Sequence, residues 1–276
     1  MGRVAVKVMI RRETATADDS GVSETLGSIL VFGIVVSGIA IILLFGMNIL
    51  NNSKDQNNFQ SVSQGFKVIQ SDIKRTALEQ MPVKTTRIHM DGGTIALDPS
   101  KTISITYNGK DSAGTYLGSI YSNIPTGYIN YAASGTTNSI SLENGGLWSR
   151  EYDYDYVKAA PRIFLDPDNM LVLNVIRLDC SAEKFAGTGT INLFIKATSN
   201  RVLTYTGDPG AQPVTIIIQT SYPAAWSTAF NAINVPAGST IVTTPGTDQV
   251  QVTISGVKKL IISEHTVKID PMSIST

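Results

Sequence analysis

The chain has 276 residues, 16% of them charged, with 22 Lys and Arg set against 22 Asp and Glu. That balance gives no electrostatic case for nucleic acid as a partner. A single cysteine, Cys180, excludes an internal disulfide, and no CxxC or Cys/His spacing exists for a structural zinc.

The N-terminal stretch carries Arg3, Lys7, Arg11 and Arg12, and then Ser20-Gly21-Val22-Ser23-Glu24-Thr25 leads into an apolar run from Leu26 to Leu50. No charge occurs between Thr25 and Lys54. At 1.5 Å rise per residue such a run measures roughly 37 Å as a helix, enough to cross a ~30 Å hydrocarbon core with some tilt. A secretory signal has a shorter apolar core and an A-x-A-like site after it, and GMNILNNS provides none, so the run is expected to stay in the mature protein. The basic residues before the span, against one Lys and one Asp just after it, orient the N-terminus to the cytoplasm and the C-terminal part outside. Within the span Gly33 and Ser37 form a small-xxx-small pair, with Gly27, Gly38 and Gly46 also present; small residues allow close helix approach, and are frequent in membrane helices generally. Asn51-Asn52-Ser53 is the one N-glycosylation sequon, placed at the membrane exit.

The stretch Gly21-Val22-Ser23-Glu24-Thr25-Leu26-Gly27-Ser28-Ile29-Leu30-Val31-Phe32 resembles the N-terminus of archaeal type IV pilin-like proteins, whose precursors carry a short basic class III leader. The resemblance implies that a prepilin-type peptidase cuts on the cytoplasmic side, with Gly21 the last leader residue and Val22 the first mature one. Where related leaders carry Lys or Arg, this chain has Asp18-Asp19-Ser20. Glu24 then stands third in the mature chain, where it either pairs with the free amino group of a neighbouring subunit or serves as a solvated acid favoured by the helix dipole. The partners implied are membrane lipid, the peptidase, and further copies of the chain or other pilin-like subunits. No cofactor is implied.

Past Asn58 the polarity changes while the period persists. Phe59, Val62, Phe66, Ile69 and Ile73 make a narrow heptad-like seam, continued by Thr76, Ala77 and Met81, while Lys54, Asp55, Lys67, Asp72, Lys74, Arg75 and Glu79 lie off it. A near-continuous helix from about Ser23 to Met81 is predicted, ended by Pro82, with Asn51-Asn52-Ser53 and Gly65 as places for a kink or break.

After Pro82 the pattern turns to period two. Thr85 to Met90, Asp91-Gly92-Gly93 and Thr94 to Leu97 read as a hairpin, and Ile103 to Tyr107 runs into the turn signal Asn108-Gly109. Further strands are predicted at 139–142, 171–178, 190–197, 214–220, 250–254 and 260–269, with a short helix over 221–230 anchored by Trp226. The region 108–146 has loop-like composition, and the tyrosines from Tyr107 to Tyr156 suit strand faces or contact surfaces equally. Asp166-Pro167-Asp168-Asn169 reads first as a tight turn; neither it nor Glu151 to Tyr156 matches an EF-hand loop, and no metal site is expected. Cys180 reads as a buried small hydrophobe. His89 and His265 sit in strand-like stretches without a nucleophile-elbow, P-loop or HExxH motif.

The expected fold class is therefore α+β: a long N-terminal transmembrane and amphipathic helix, then a β-rich, sandwich-like extracellular head, the lollipop plan of the pilin-like resemblance. Its expected divisions are 1–21 (cytoplasmic leader, cleaved), 22–52 (transmembrane and assembly helix), 53–81 (amphipathic stalk) and 82–276 (head). The expected function is a structural, non-enzymatic surface subunit that assembles through its apolar helix and displays the head, with adhesion as one use. The alternative is a single-span anchored binding protein that does not polymerise; an anchored enzyme ranks third.

Overall fold

The computed structural model describes residues 19–79, 81, 83–111, 113–116, 118–207 and 212–274. Contacts separate the chain into two units, Met1–Lys54 and Asp55–Thr276. Helix α1 (Asp19–Leu78) runs as one α-helix, in line with the near-continuous helix expected, through both Asn51-Asn52-Ser53 and Gly65, the places named for a kink or break. Gly inside a helix costs about 1 kcal/mol against Ala, less than the loss from interrupting a stripe that is buried on both sides of Gly65. The helix closes with Arg75 in its last turn, where a cation suits the dipole, and Glu79 N–H still donates to the Arg75 carbonyl at 2.9 Å. Pro82, the expected stop, lies outside the described residues, as does most of the leader.

In the second unit the strands in chain order are β1 (Lys84–Asp98), β2 (Thr102–Tyr107), β3 (Gly109–Lys110), β4 (Ser119–Pro125), β5 (Tyr128–Ala132), β6 (Ser139–Glu143) and β7 (Gly146–Glu151). Then come β8 (Tyr154–Ala159), β9 (Ile163–Leu165), β10 (Met170–Asp179), β11 (Glu183–Gly207) and β12 (Gln212–Gln219). Helix α2 (Pro223–Asn231) precedes β13 (Thr240–Pro245), β14 (Gln249–Val257) and β15 (Lys259–Ile274). A 10-stranded sheet is ordered β8-β7-β6-β5-β1-β11-β15-β10-β9 with β3 beside β11, and a 5-stranded sheet is ordered β13-β14-β12-β2-β4. The pair β10–β15 is parallel; the other pairings are antiparallel.

The large sheet is the middle layer. Its first face packs on α1: Phe59, Val62, Phe66, Ile69, Ile73 and Ala77 share a core with residues such as Ile88, Ile95, Leu142, Leu193 and Ile269. Its other face packs on the small sheet and α2, where Trp148, Leu171, Leu173 and Ile262 meet Ile105, Ile216, Trp226, Phe230 and Val252. Strand β10 shows the period-two logic, with Leu171, Leu173 and Val175 in the second core and Ile176 and Leu178 in the first. The sandwich-like expectation thus corresponds to two sheets with a helix on the outer side of one, within an α+β layout.

Two bulges keep this scheme in register. In β11 the pairing with β15 shifts between Ala197 and Ser199, one extra residue that turns odd positions from the α1 face (Ile191, Leu193, Ile195) to the other (Leu203, Tyr205). One long strand therefore serves both cores. In β1 the shift lies between Asp91 and Thr94, and Gly92 (φ 116°) and Gly93 (φ 85°) take left-handed conformations there.

That second bulge corrects the hairpin expected over residues 85–97. Asp91-Gly92-Gly93 does not reverse the chain; β1 continues through it along β11 from Lys84↔Ile195 to Leu97↔Glu183. The ladder groups freed at the bulge are taken by side chains: the Asn58 amide donates to the Asp91 carbonyl at 3.1 Å and accepts from Asp91 N–H at 3.2 Å, and Gly93 N–H donates to Ser134 Oγ at 3.0 Å. Asn108-Gly109 is likewise not a hairpin turn, because β3 leaves β2 and pairs with β11 of the other sheet. Gly109 is needed for packing, since a Cβ there would stand 2.8 Å from the Thr206 carbonyl oxygen. The two-residue Asn-Gly turn is at Asn144-Gly145 (φ 46° and 69°), between β6 and β7.

Candidate functional site

The first unit presents the apolar segment of α1. Leu26–Met47, 22 residues with mean hydropathy 2.9, is long and apolar enough to cross a membrane, and none of it is buried. Phe32, Ile42, Leu44 and Phe45 expose two thirds or more of their surface. An apolar face of this extent is far beyond the few hundred Å² that a soluble monomer tolerates. Gly27, Gly33, Gly38 and Gly46 have open space where a Cβ would stand. Gly33 and Ser37 lie one turn apart, and Gly27 and Gly38 fall within roughly 20° of each other around the helix axis. Gly21, Val22 and Glu24 lie in the first turns of α1, and Asn51 lies farther along it; their side chains are outside the described residues.

In the second unit the seam is brought together as a packed row. Val62, Phe66, Ile69 and Ile73 are at most 1% exposed and Phe59 is 5% exposed, with Phe59 stacked 6.3 Å from the Tyr131 ring. Polar bonds fix the helix along its length. Besides Asn58 at the bulge, Gln70 Nε2 donates to the Gly145 carbonyl at 2.8 Å, and Thr86 Oγ1 donates to Asp72 at 2.6 Å. These polar anchors were not legible as site residues, although the Asn144-Gly145 dipeptide signals the turn that Gln70 meets.

The second core contains a buried carboxylate. Glu143 is 3% exposed and accepts from Thr220 Oγ1 (2.7 Å), Trp226 Nε1 (3.2 Å) and Ser141 Oγ (3.2 Å), with Lys101 Nζ 3.4 Å away. Lys101 also donates to Ser221 Oγ at 2.7 Å and sits over the Tyr128 ring. The donors around both oxygens offset the cost of burying this carboxylate. Trp226, expected as a core anchor, does so in α2 with its ring 4.3 Å from that of Trp148.

The remaining candidates separate. His89 is on the exposed side of β1, 3.2 Å from Thr190 Oγ1. His265 is buried, with Nε2 2.8 Å from Ser263 Oγ and Nδ1 3.0 Å from Asn200 Oδ1, and burial pushes its pKa down. This serine–histidine–asparagine chain lies on strands β11 and β15, and none of its members lines the cavities formed by α2 with β9, by α1 with the β7–β8 hairpin, or by residues around Lys101 and Asp248. Among the described residues no group of three His, Cys, Asp or Glu is placed to hold a metal ion. Asp166 Oδ1 instead accepts from the N–H groups of Asp168 and Met170, shaping the turn between β9 and β10. Cys180 is half-buried, and burial with the neighbouring Asp179 pushes its thiol up to about 11. Of the tyrosines, Tyr107, Tyr121 and Tyr131 are core residues, whereas Tyr116, Tyr152, Tyr154 and Tyr156 are exposed.

The profile of a family of unknown function, DUF7289, matches residues 21–270. The chain belongs to that family. An uncharacterized protein of Archaeoglobus fulgidus is 27% identical over 220 residues, covering 66% of this chain and 72% of the relative. No solved structure matches the chain. The DUF7289 match takes in the apolar segment, the seam and nearly all of the head, and it opens at Gly21.

Proposed function

We propose that the chain is a pilin-like or pseudopilin-like surface subunit, made with a cytoplasmic leader, cut before Val22, held in the cell membrane by Leu26–Met47 and assembled through that helix with the head outside. The observation that carries this reading is the division of labour within α1. Its first part exposes an uninterrupted apolar surface, none of it buried, while Phe59 to Ala77 is buried on the head. An apolar helix with free small-residue positions suits both lipid and a bundle of its own copies. The start of the family match at Gly21 and the archaeal relative support it further. The mechanism is polymerisation, and no catalytic step is assigned.

Mass spectrometry of the native N-terminus tests the processing step, with Val22 the expected first residue. An intact Met1 or Gly2 in membranes overturns the pilin-like reading in favour of a permanently anchored binding protein. Recovery in sheared, high-speed pellets of the extracellular fraction tests assembly itself.

A further inference from the structure

The polar groove between α1 and the β7–β8 hairpin has the chemistry of a saccharide site. The groove encloses about 330 Å³ and is polar. Gln56, Gln60 and Gln64 follow one another at successive turns of α1 along one wall, with Lys67 at the end; Asn138, Tyr152 and the Lys158–Glu151 ion pair (2.7 Å) form the other. Phe59 and Ser63 make the floor.

Tyr152 is held in place at a cost. It and Asp153 form the two-residue hairpin turn with φ of 51° and 66°, a left-handed pair usually occupied by Asn-Gly, and each non-glycine residue there is strained. The strain is sustained by fixed bonds: the Tyr152 hydroxyl accepts from Gln56 Nε2, and its N–H donates to Asn138 Oδ1 at 3.2 Å. Even so, Tyr152 is 65% exposed. Tyr154 and Tyr156 lie on the same face of β8, opposite Glu151 and Ser149, which share the α1 face with Leu147, but they do not line the groove. Gln60, Gln64 and Lys67 are exposed, and their side chains have no hydrogen-bond or ion-pair partner among the described residues.

We propose that this groove binds an acidic oligosaccharide. The glutamine amides supply donors and acceptors for ring hydroxyls, the exposed Tyr152 ring stacks on the C–H face of a sugar ring, and Lys67 pairs with a uronate carboxylate. Rigid aromatics beside adaptable amides are the combination that polar recognition surfaces favour. The site does not depend on polymerisation, so its failure and that of the subunit reading are separate results.

The test uses the full chain in detergent micelles, titrated calorimetrically with a hyaluronan tetrasaccharide, an oligogalacturonate tetrasaccharide and neutral chitotetraose. Saturable binding of a uronate sugar is expected, weakened at least about tenfold by Gln60→Ala with Gln64→Ala. Lys67→Gln is expected to remove the preference for uronate over neutral sugar while the protein keeps its thermal transition. Such exposed substitutions leave the fold essentially unperturbed. The proposal is overturned if none of the three sugars binds, if binding survives the double substitution unchanged, or if that substitution changes only the sedimentation of the chain, which would make the groove a contact between copies.

Discussion

Gln70 donates its side-chain amide to the Gly145 carbonyl at 2.8 Å, and this buried bond ties the C-terminal part of α1 to the turn between β6 and β7. The turn is tied in turn to the sheet, because Asn144 Oδ1 accepts from Ile176 N–H at 2.7 Å. Gly145 has φ 69°, and a Cβ on it would stand 2.7 Å from Ile176 Cδ1. Helix, turn and β10 therefore lock at one point, in the core that α1 shares with the large sheet.

Gln70→Leu leaves the Gly145 carbonyl buried without a donor, which costs about 1–3 kcal/mol. Thermal unfolding of the full chain in detergent micelles should show a lowered midpoint. Gln64→Leu, at an exposed position on the same helix, should stay within about 0.5 kcal/mol of the parent. Equal effects at both positions would mean that the bond is not what anchors α1.

Glu143 sets a larger test in the other core. Glu143→Leu strips Thr220, Trp226 and Ser141 of their acceptor and leaves Lys101, whose side chain is 14% exposed, facing an apolar group. Breaking a buried charged pair from one side costs about 3–5 kcal/mol. Glu143→Gln, which keeps one acceptor oxygen, should lose less. The Trp226 indole reports directly, so tryptophan fluorescence during unfolding should distinguish the two variants.

His265 makes the stability of the head depend on pH. Burial lowers its pKa from the ordinary 6.5, opposed by a hydrogen bond with the backbone of Ala77 at the end of α1 and by the neighbouring Glu264 carboxylate. A depressed histidine pKa means that the unfolded chain binds the proton more readily, so this contribution is complete above pH 6.5 and is lost as pH falls through the lowered folded value. Midpoints measured between pH 7.5 and 5 should fall on acidification, and His265→Gln should flatten that part of the profile. A parent profile flat over this window would show that the imidazole is not penalised.

Much of this architecture was legible because burial repeats with the period of the element. The seam Phe59 to Ile73, the strands at 171–178 and 260–269, and Trp226 in its short helix all announce themselves by which positions are apolar. The failures come where one residue changes the count. Asp91-Gly92-Gly93 has the composition of a turn and acts as a bulge because Asn58, far away in sequence, completes its hydrogen bonds. The two Asn-Gly pairs are identical as dipeptides, yet one crosses between sheets and the other reverses the chain, a distinction made by the partner strand. The groove by Tyr152 was invisible because its two walls are separated by most of a hundred residues, and the EYDYDY run gives no hint that α1 lies beside it.

The apolar part of α1 supplies a contrast between two exposed aliphatic positions on one helix. Ile39 is 52% exposed and Val68 is 53% exposed, so by surface alone an arginine is equally acceptable at either. If Leu26–Met47 resides in lipid, Ile39→Arg places a charge near the middle of the span, at a cost of about 2.5–3.5 kcal/mol on the insertion scale, while Val68→Arg meets water. Alkaline extraction of membranes should release a substantial share of the Ile39→Arg protein and none of the Val68→Arg protein beyond the parent's level. The same pair separates lipid from self-association: equal extraction of both, with Ile39→Arg altering only the size of sheared pellets, would place the apolar surface against copies of itself and leave anchoring to another element.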